Sequence, residues 1–220
     1  MKKAISAITL SLAITLSFTA CTSKESVKNT SSKTISGTAA KTAEETATEN
    51  AAKEKTAMLE SKAQEGYNLF YDKKYDSALA AENAVIAEDP TFFKAYYIKG
   101  ITQCYAGKYE EGSKNIDKAL ELSPDDYMAR FNKALSLELY KHYDEALVWY
   151  QKSLEVAKGQ GKWSYYGIAS IYGRRGNVAD TVKYLKLAID IDPYIKKDAK
   201  NESDFNPVKN SKEFKQLIGE

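Results

Sequence analysis

The chain is short of everything that most catalytic sites are made from. Its 220 residues include one histidine, His142, and two cysteines, Cys21 and Cys104. That inventory is poor for a metal centre of the usual imidazole and thiolate donors, and for a thiol–histidine nucleophile as well. No glycine-rich phosphate loop, nucleophile elbow, metal-ligand cluster or deaminase signature occurs, so no enzymatic activity and no cofactor is expected. The paired acids Glu110-Glu111 and Asp125-Asp126 fit helix starts and solvated faces. His142 sits in a turn between Lys141 and Tyr143, where a solvated side chain is the simpler reading. Only four prolines and eleven glycines accompany plentiful alanine, leucine, lysine and glutamate, which disfavours a strand-rich fold.

An excess of positive charge is missing too. There are 32 basic and 30 acidic residues. Lys2 and Lys3 fall in a segment expected to be removed, and subtracting them leaves 30 against 30. A nucleic-acid partner would call for a basic stripe, and electrostatic attachment to anionic lipid would call for a basic cluster. Neither is present in the balance. Tyrosine, by contrast, is abundant, with sixteen in all.

The first twenty residues have the three parts of a secretory signal: Lys2-Lys3, an uncharged apolar stretch over 4–18, and the closing Phe18-Thr19-Ala20-Cys21. The apolar run is short for a membrane span, and no later segment is apolar enough for one. Ala20 suits an ordinary cut before Cys21, whereas bulky Phe18 does not. The segment resembles the lipoprotein box, in which an apolar residue and two small ones precede an obligatory cysteine. That resemblance implies a diacylglyceryl group on Cys21, cleavage before it and a firm membrane anchor, because two acyl chains hold where one holds marginally. A plain secreted protein with a chance cysteine is the alternative. On the lipoprotein reading, residues 1–20 are the signal peptide and the protein sits in the cell envelope, facing the periplasm or the outer surface.

Residues 21–56 contain no aromatic residue, and Val27 and Ile35 are their only large apolar side chains. Such a stretch buries too little to offset its ordering entropy, so a flexible tether is expected. Its later part, over 44–55, has helix-forming composition and extends into the first helix.

Beyond the tether the sequence repeats with a period of 34. Windows beginning at Leu59, Phe93 and Tyr127 align without gaps, and a fourth from Lys162 needs one inserted residue, Gly161. The eighth position is small in every window (Gly66, Gly100, Ala134, Ala169). The seventeenth holds Tyr75, Tyr109, Tyr143 and Val178, the twentieth Ala78, Gly112, Ala146 and Thr181. The twenty-seventh holds Val85, Ala119, Ser153 and Ala188. Pro90, Pro124 and Pro193 recur where a helix must end. Four windows in phase, with small and proline positions recurring together, resemble the tetratricopeptide repeat family, in the form of a bacterial repeat-containing lipoprotein.

The resemblance covers residues 59 to about 193 and implies an all-α, right-handed superhelix of about four helix pairs. The repeats are placed at 59–92, 93–126, 127–160 and 162–195 within a solenoid over 57–195. Residues 196–220 then form a C-terminal cap, with Phe205, Val208, Phe214 and Leu217 as the lid over the last repeat. Lys158-Gly159-Gln160-Gly161 replaces the proline of repeat three and reads as a looser junction or as a glycine cap. Thr181 predicts looser packing of repeat four.

In this family the second, fifth, ninth, twelfth and thirteenth positions commonly face a concave groove. Here they supply Tyr67, Phe70 and Tyr71, then Lys94, Tyr97, Ile101, Cys104 and Tyr105. Repeats three and four add Met128, Phe131, Leu135 and Glu138, then Trp163, Tyr166, Ser170 and Arg174. The groove so derived is aromatic and apolar and lacks a Lys/Asn/Arg carboxylate clamp. It implies a protein or peptide partner held by apolar and aromatic contact. Burial of these rings between repeats, or cover by self-association, are the alternatives. Cys104 reads either as a small buried filler or as a thiol that pairs with another chain. The function implied is a membrane-anchored, non-catalytic scaffold or adaptor. A self-associating structural lipoprotein, or an accessory or chaperone subunit of an envelope transport or cell-wall complex, are the other readings.

Overall fold

A computed structural model describes residues 35–220, with side chains described from residue 45 onward. The signal peptide, Cys21 and residues 21–34 of the tether therefore lie outside the described residues. The described chain is all helical: α1 Ile35–Tyr71, α2 Tyr75–Glu88, α3 Phe93–Tyr105, α4 Tyr109–Leu122, α5 Tyr127–Leu139, α6 Tyr143–Val156, α7 Lys162–Arg174 and α8 Val178–Ile191. Short helices α9 (Ile195–Asn201) and α10 (Lys212–Ile218) follow, with a 3-10 turn at Ser203–Phe205 between them.

The helix expected to take in residues 44–55 begins earlier, at Ile35, so residues 35–43 of the expected flexible tether are helical as well. Every side chain from 45 to 58 is exposed, so this segment stands without a core. Its Ala, Glu and Lys content and an i,i+4 pair, Glu49 with Lys53 at 4.0 Å, supply the helical preference that burial does not. The packed unit runs from Leu59 to Glu220.

Within that unit each 34-residue window is a helix pair. Second helices start at Tyr75, Tyr109, Tyr143 and Val178, the seventeenth positions of the windows. The turns before them carry a left-handed residue: Lys73 (φ 61°), Gly107 (φ 88°), Lys141 (φ 68°) and Gly176 (φ 71°). Asp126 and Asn177 cap α5 and α8, their side-chain oxygens accepting from the backbone N–H of Ala129 (2.8 Å) and Asp180 (3.1 Å). Successive first helices touch, α3 against α5 and α5 against α7, and no comparable contact joins α4 to α6 or α6 to α8. The first helices therefore form the inner layer of the stack.

The small eighth and twentieth positions set how closely a pair can cross. The tightest is in repeat two, where an added Cβ on Gly112 would lie 2.6 Å from the Gly100 carbonyl oxygen and 2.4 Å from Cys104 Sγ. A backbone oxygen cannot swing aside. Alanine would gain roughly 1 kcal/mol of helix propensity over glycine, but overpacking costs about 1–3 kcal/mol or more. Gly112→Ala is therefore expected to destabilise the protein by about 2 kcal/mol, read as a lower denaturant midpoint with unchanged slope.

The junction after repeat three is a tight glycine cap. Gly159 has φ 83°, a conformation natural to glycine. Gly161 lies directly against Leu154, where a Cβ would come within 2.3 Å of a methyl carbon. The buried hydroxyls of Ser153 and Ser164 bond across the joint at 2.7 Å. Thr181 also departs from expectation. It is fully buried, and its hydroxyl donates to the Asn177 carbonyl at 2.6 Å, so the extra polar atom is satisfied without loosening α8.

The lid closes as read from the sequence. Phe205, Val208 and Phe214 are each 1% exposed and pack with Ile195 and Ile218 onto Ala169, Leu185, Ala188 and Ile189, with Leu217 at the margin.

One core position breaks the apolar rule. The twenty-fourth position of the window is Ile116, Tyr150 and Leu185 in repeats two to four, all buried, but Glu82 in repeat one. Glu82 is equally buried, neither carboxylate oxygen has a hydrogen-bond partner, and its Oε1 occupies the space that a Gly66 side chain would need. Burial pushes its carboxyl up to about 9.

Candidate protein-binding groove

The inner layer carries the aromatic residues expected of it, at unequal depths. In α1, Tyr71 is 47% exposed, its ring edge-on to Tyr67 at 4.7 Å, with the two hydroxyls 2.8 Å apart. Phe70, 9% exposed, turns inward to meet Tyr105 of α3 at 5.2 Å. In α5, Met128, Phe131 and Leu135 are half-buried, Phe131 lying 5.9 Å from Tyr150. In α7, Trp163 and Tyr166 are half-buried and meet edge-to-face at 6.1 Å, and Tyr166 meets Phe205 of the lid in the same way at 5.6 Å.

Three positions of α3 do not belong to an open surface. Ile101 and Cys104 are fully buried in a cluster with Phe70, Ala78 and Ile116, and Tyr97 is 8% exposed beside Ala63, Ala119 and Ala129. Ala63, Phe70 and Ala78 of the preceding repeat pack with them and close that face. Burial pushes the Cys104 thiol up to about 12, with Lys133 opposing weakly, so it is a filler with no thiolate to offer a partner chain. Lys94 is engaged too, its ammonium 2.6 Å from Glu60 one repeat earlier.

The C-terminal end of the inner layer is a polar ladder. Tyr150 donates to Glu138 Oε2 at 2.6 Å. Ser170 Oγ lies 3.1 Å from Glu138 Oε1 and 2.5 Å from Asp204 Oδ2. Arg174 pairs with Asp204 of the lid and lies 3.8 Å from Glu138. Arg174 is thus a tie between the groove and its own cap. The sequence reading placed Glu138, Ser170 and Arg174 on the inner face but missed Tyr150 and Asp204. A lone arginine on an apolar face was the available signal that a carboxylate had to come from elsewhere.

The electrostatic setting is one-sided. Burial, then the charges of Glu202, Asp198, Asp204 and Glu138, hold the Tyr166 phenol far above its ordinary value. Burial, then Asp126, Glu82 and Glu60, do the same for Tyr97, and burial, then Glu138, for Tyr105. These phenols remain hydrogen-bond donors at every physiological pH. No group of three or more His, Cys, Asp or Glu side chains able to hold a metal occurs among the described residues. His142 is exposed, stacked on Tyr109 at 5.7 Å. A depression of about 320 Å³ is lined by Leu120, Trp149 and Arg130. The Arg130 guanidinium is already spent on the Pro124 and Lys152 carbonyls.

Two models of the tetratricopeptide repeat match this chain, over residues 97–161 and 164–195. Among curated proteins it is similar to a TPR repeat-containing protein of Methanocaldococcus jannaschii, 29% identical over 112 residues, covering 51% of this chain and 20% of that one. Hsp70-Hsp90 organizing protein 3 of Arabidopsis thaliana is 27% identical over 96 residues, 44% of this chain and 17% of its own length. An uncharacterized protein of Methanocaldococcus jannaschii is 38% identical over 63 residues, 29% of this chain and 73% of its own. The matches thus span about a fifth of the first two relatives. Two solved MamA structures share the fold. One has a TM-score of 0.50 at 22% identity over 64% of this chain and 81% of that one; the other, a double mutant, 0.51 at 19% over 74% and 94%. Helix pairs at a 34-residue period, small crossing residues and matching family models lead to one conclusion: the chain belongs to the tetratricopeptide repeat family, whose members are typically non-catalytic scaffolds.

Proposed function

We propose that this tetratricopeptide protein is a lipid-anchored scaffold of the bacterial cell envelope, binding a protein or peptide partner along its inner layer. The observation that carries the binding reading is the row of rings left open on the inner helices, the exposed Tyr71 and half-buried Tyr67 on α1, Phe131 on α5, Trp163 and Tyr166 on α7. Such rings bury large area on contact with few rotors to freeze, and their polar edges find donors or acceptors in a bound chain. The anchor reading rests on Phe18-Thr19-Ala20-Cys21, and no helix among the described residues is long and apolar enough to cross a membrane.

Photocrosslinking of the full chain in its native membrane tests both parts. A crosslinker at Tyr71 or Leu135 is expected to trap a defined partner that one at Val148, exposed on α6, does not. Equal trapping at Val148 would exclude the inner layer as the site. The intact mass of the membrane-purified protein is expected to show a diacylated Cys21 at the amino terminus, and an unmodified cysteine would remove the anchor.

A further inference from the structure

The polar ladder at the C-terminal end of the inner layer does not close with the hydrogens that ionised carboxylates leave it. Ser170 Oγ lies between two carboxyl groups, 3.1 Å from Glu138 Oε1 and 2.5 Å from Asp204 Oδ2, and all three residues are buried. A hydroxyl donates one hydrogen, and an ionised carboxylate only accepts. With both carboxyls ionised, one of the two contacts sets a hydroxyl lone pair against an oxyanion, which is costly away from water. Both contacts become hydrogen bonds when one carboxyl keeps its proton.

The neighbours decide which carboxyl that is. Arg174 Nη2 donates to Asp204 Oδ2 but stands 3.8 Å from Glu138 Oε1, too far for a hydrogen bond. The guanidinium therefore favours the ionised form of Asp204. Tyr105 of α3, Tyr150 of α6 and Tyr166 of α7 also face Glu138, and a phenol brings it no positive charge. With Glu138 neutral the donors run in one direction. Tyr150 donates to Glu138 Oε2 at 2.6 Å, the Glu138 carboxyl to Ser170 Oγ, and the Ser170 hydroxyl to Asp204, where Arg174 closes the chain. The charges of Asp204 and Arg174 then cancel.

We infer that Glu138 carries a proton while the lid is shut and that this proton is a latch, whose loss passes Arg174 from Asp204 to Glu138 and loosens the lid. Arg174 has both carboxyls beside one nitrogen already, and its buried Nε has no hydrogen-bond partner, so the guanidinium is incompletely engaged where it is. Its Cζ lies 5.9 Å from the Tyr143 ring of α6. Asp204 belongs to the Ser203–Phe205 turn, so letting it go releases the segment that sets Phe205 against Tyr166. With the lid open, Arg174 pairs with Glu138, which ionises as an ordinary carboxyl does. Opening thus releases one proton and is favoured as pH rises. The gain is about tenfold per pH unit above the usual glutamate range, until the closed form ionises as well.

The test compares the full chain carrying Glu82→Gln, which removes the other buried glutamate, with the same chain carrying Glu138→Gln as well. The Gln amide donates to Ser170 and accepts from Tyr150, so it imitates the protonated carboxyl without a proton to lose. Both proteins are labelled with ¹³C in their glutamate carboxyls, which separates glutamate from aspartate in the infrared. At pH 7 the first is expected to show the carbonyl band of a protonated carboxyl, shifted by the label, and the second to lack it. Hydrogen exchange over 203–218 at pH 5.5, 6.5 and 7.5, corrected for the intrinsic pH dependence of amide exchange, reads the lid. Protection should fall about tenfold per pH unit in the first protein and stay level in the second. A missing band, a band that the label does not move or that Glu138→Gln retains, or the same pH dependence of lid protection in both proteins would overturn the inference.

Discussion

Glu82→Leu is expected to stabilise the protein by about 2–4 kcal/mol at pH 7, although it deletes an ionisable side chain that fills a native core position. The carboxyl is pushed from 4.5 up to about 9 by burial, with no partner for either oxygen. At pH 7 the unfolded chain carries Glu82 ionised and the folded chain carries it neutral, so folding takes up a proton. The stability associated with this group is full below pH 4.5 and is lost as pH rises towards 9, at about 1.4 kcal/mol per pH unit. Over pH 4.5–7 that amounts to about 3 kcal/mol. Leucine, which holds the same place in repeat four as Leu185, removes the penalty and restores apolar packing. Denaturant unfolding at pH 5, 7 and 8.5 would check it: the wild type should weaken along the series and the leucine variant much less. Glu82→Gln should flatten the same dependence without the packing gain. A wild type whose stability does not fall in this window would show that water or a cation reaches Glu82.

Phe205→Ala should cost about 3–5 kcal/mol, the usual range for emptying a buried aromatic site. The ring is 1% exposed and rests on Tyr166, Phe214 and the bare backbone of Gly173, where a Cβ would come within 2.7 Å of it. On the Gly173 side there is no side chain to extend into the hole. The loss should also change the character of unfolding. A solenoid's terminal repeat is held from one side only, so an opened lid exposes Leu185, Ala188 and Ile189 before the inner repeats yield. The expected signature is a second, earlier transition with dye binding to apolar surface. A single cooperative transition at a slightly lower midpoint would mean that the lid contributes little to the order of melting.

What the sequence showed and what it hid divide along a physical line. Small residues at the helix crossings, tyrosines opening the second helices and prolines closing them are local steric requirements, and each falls where the helices begin, cross and end. The lid residues were legible because a last repeat must be covered. Depth was not. A position in the window fixes the direction of a side chain around its helix, but not how near the next repeat comes, so Ile101 and Tyr97 were assigned to a surface that Phe70 and Ala63 in fact close. The tie from Arg174 to Asp204 joins residues 30 apart across the lid, beyond any period in the pattern. The helix extends further back than the helix-forming composition of residues 44–55 implies, to Ile35, because alanine, lysine and glutamate suffice for a helix that buries nothing. Glu82 stands out in the sequence as the exception among Ile116, Tyr150 and Leu185 at the twenty-fourth position.

The Ser170 hydroxyl has a single hydrogen and two carboxylates to satisfy, Glu138 from repeat three and Asp204 from the lid. That bridge limits where the array can be edited. A repeat spliced in between α4 and α5 leaves the ladder whole, since all its members lie downstream. One spliced between α6 and α7 parts Ser170 and Arg174 from Glu138, and a chain cut after α8 takes Asp204 away from both Ser170 and Arg174. Lineages of such a protein should therefore gain and lose length at the N-terminal side, with the last two repeats and the lid inherited as one indivisible cassette.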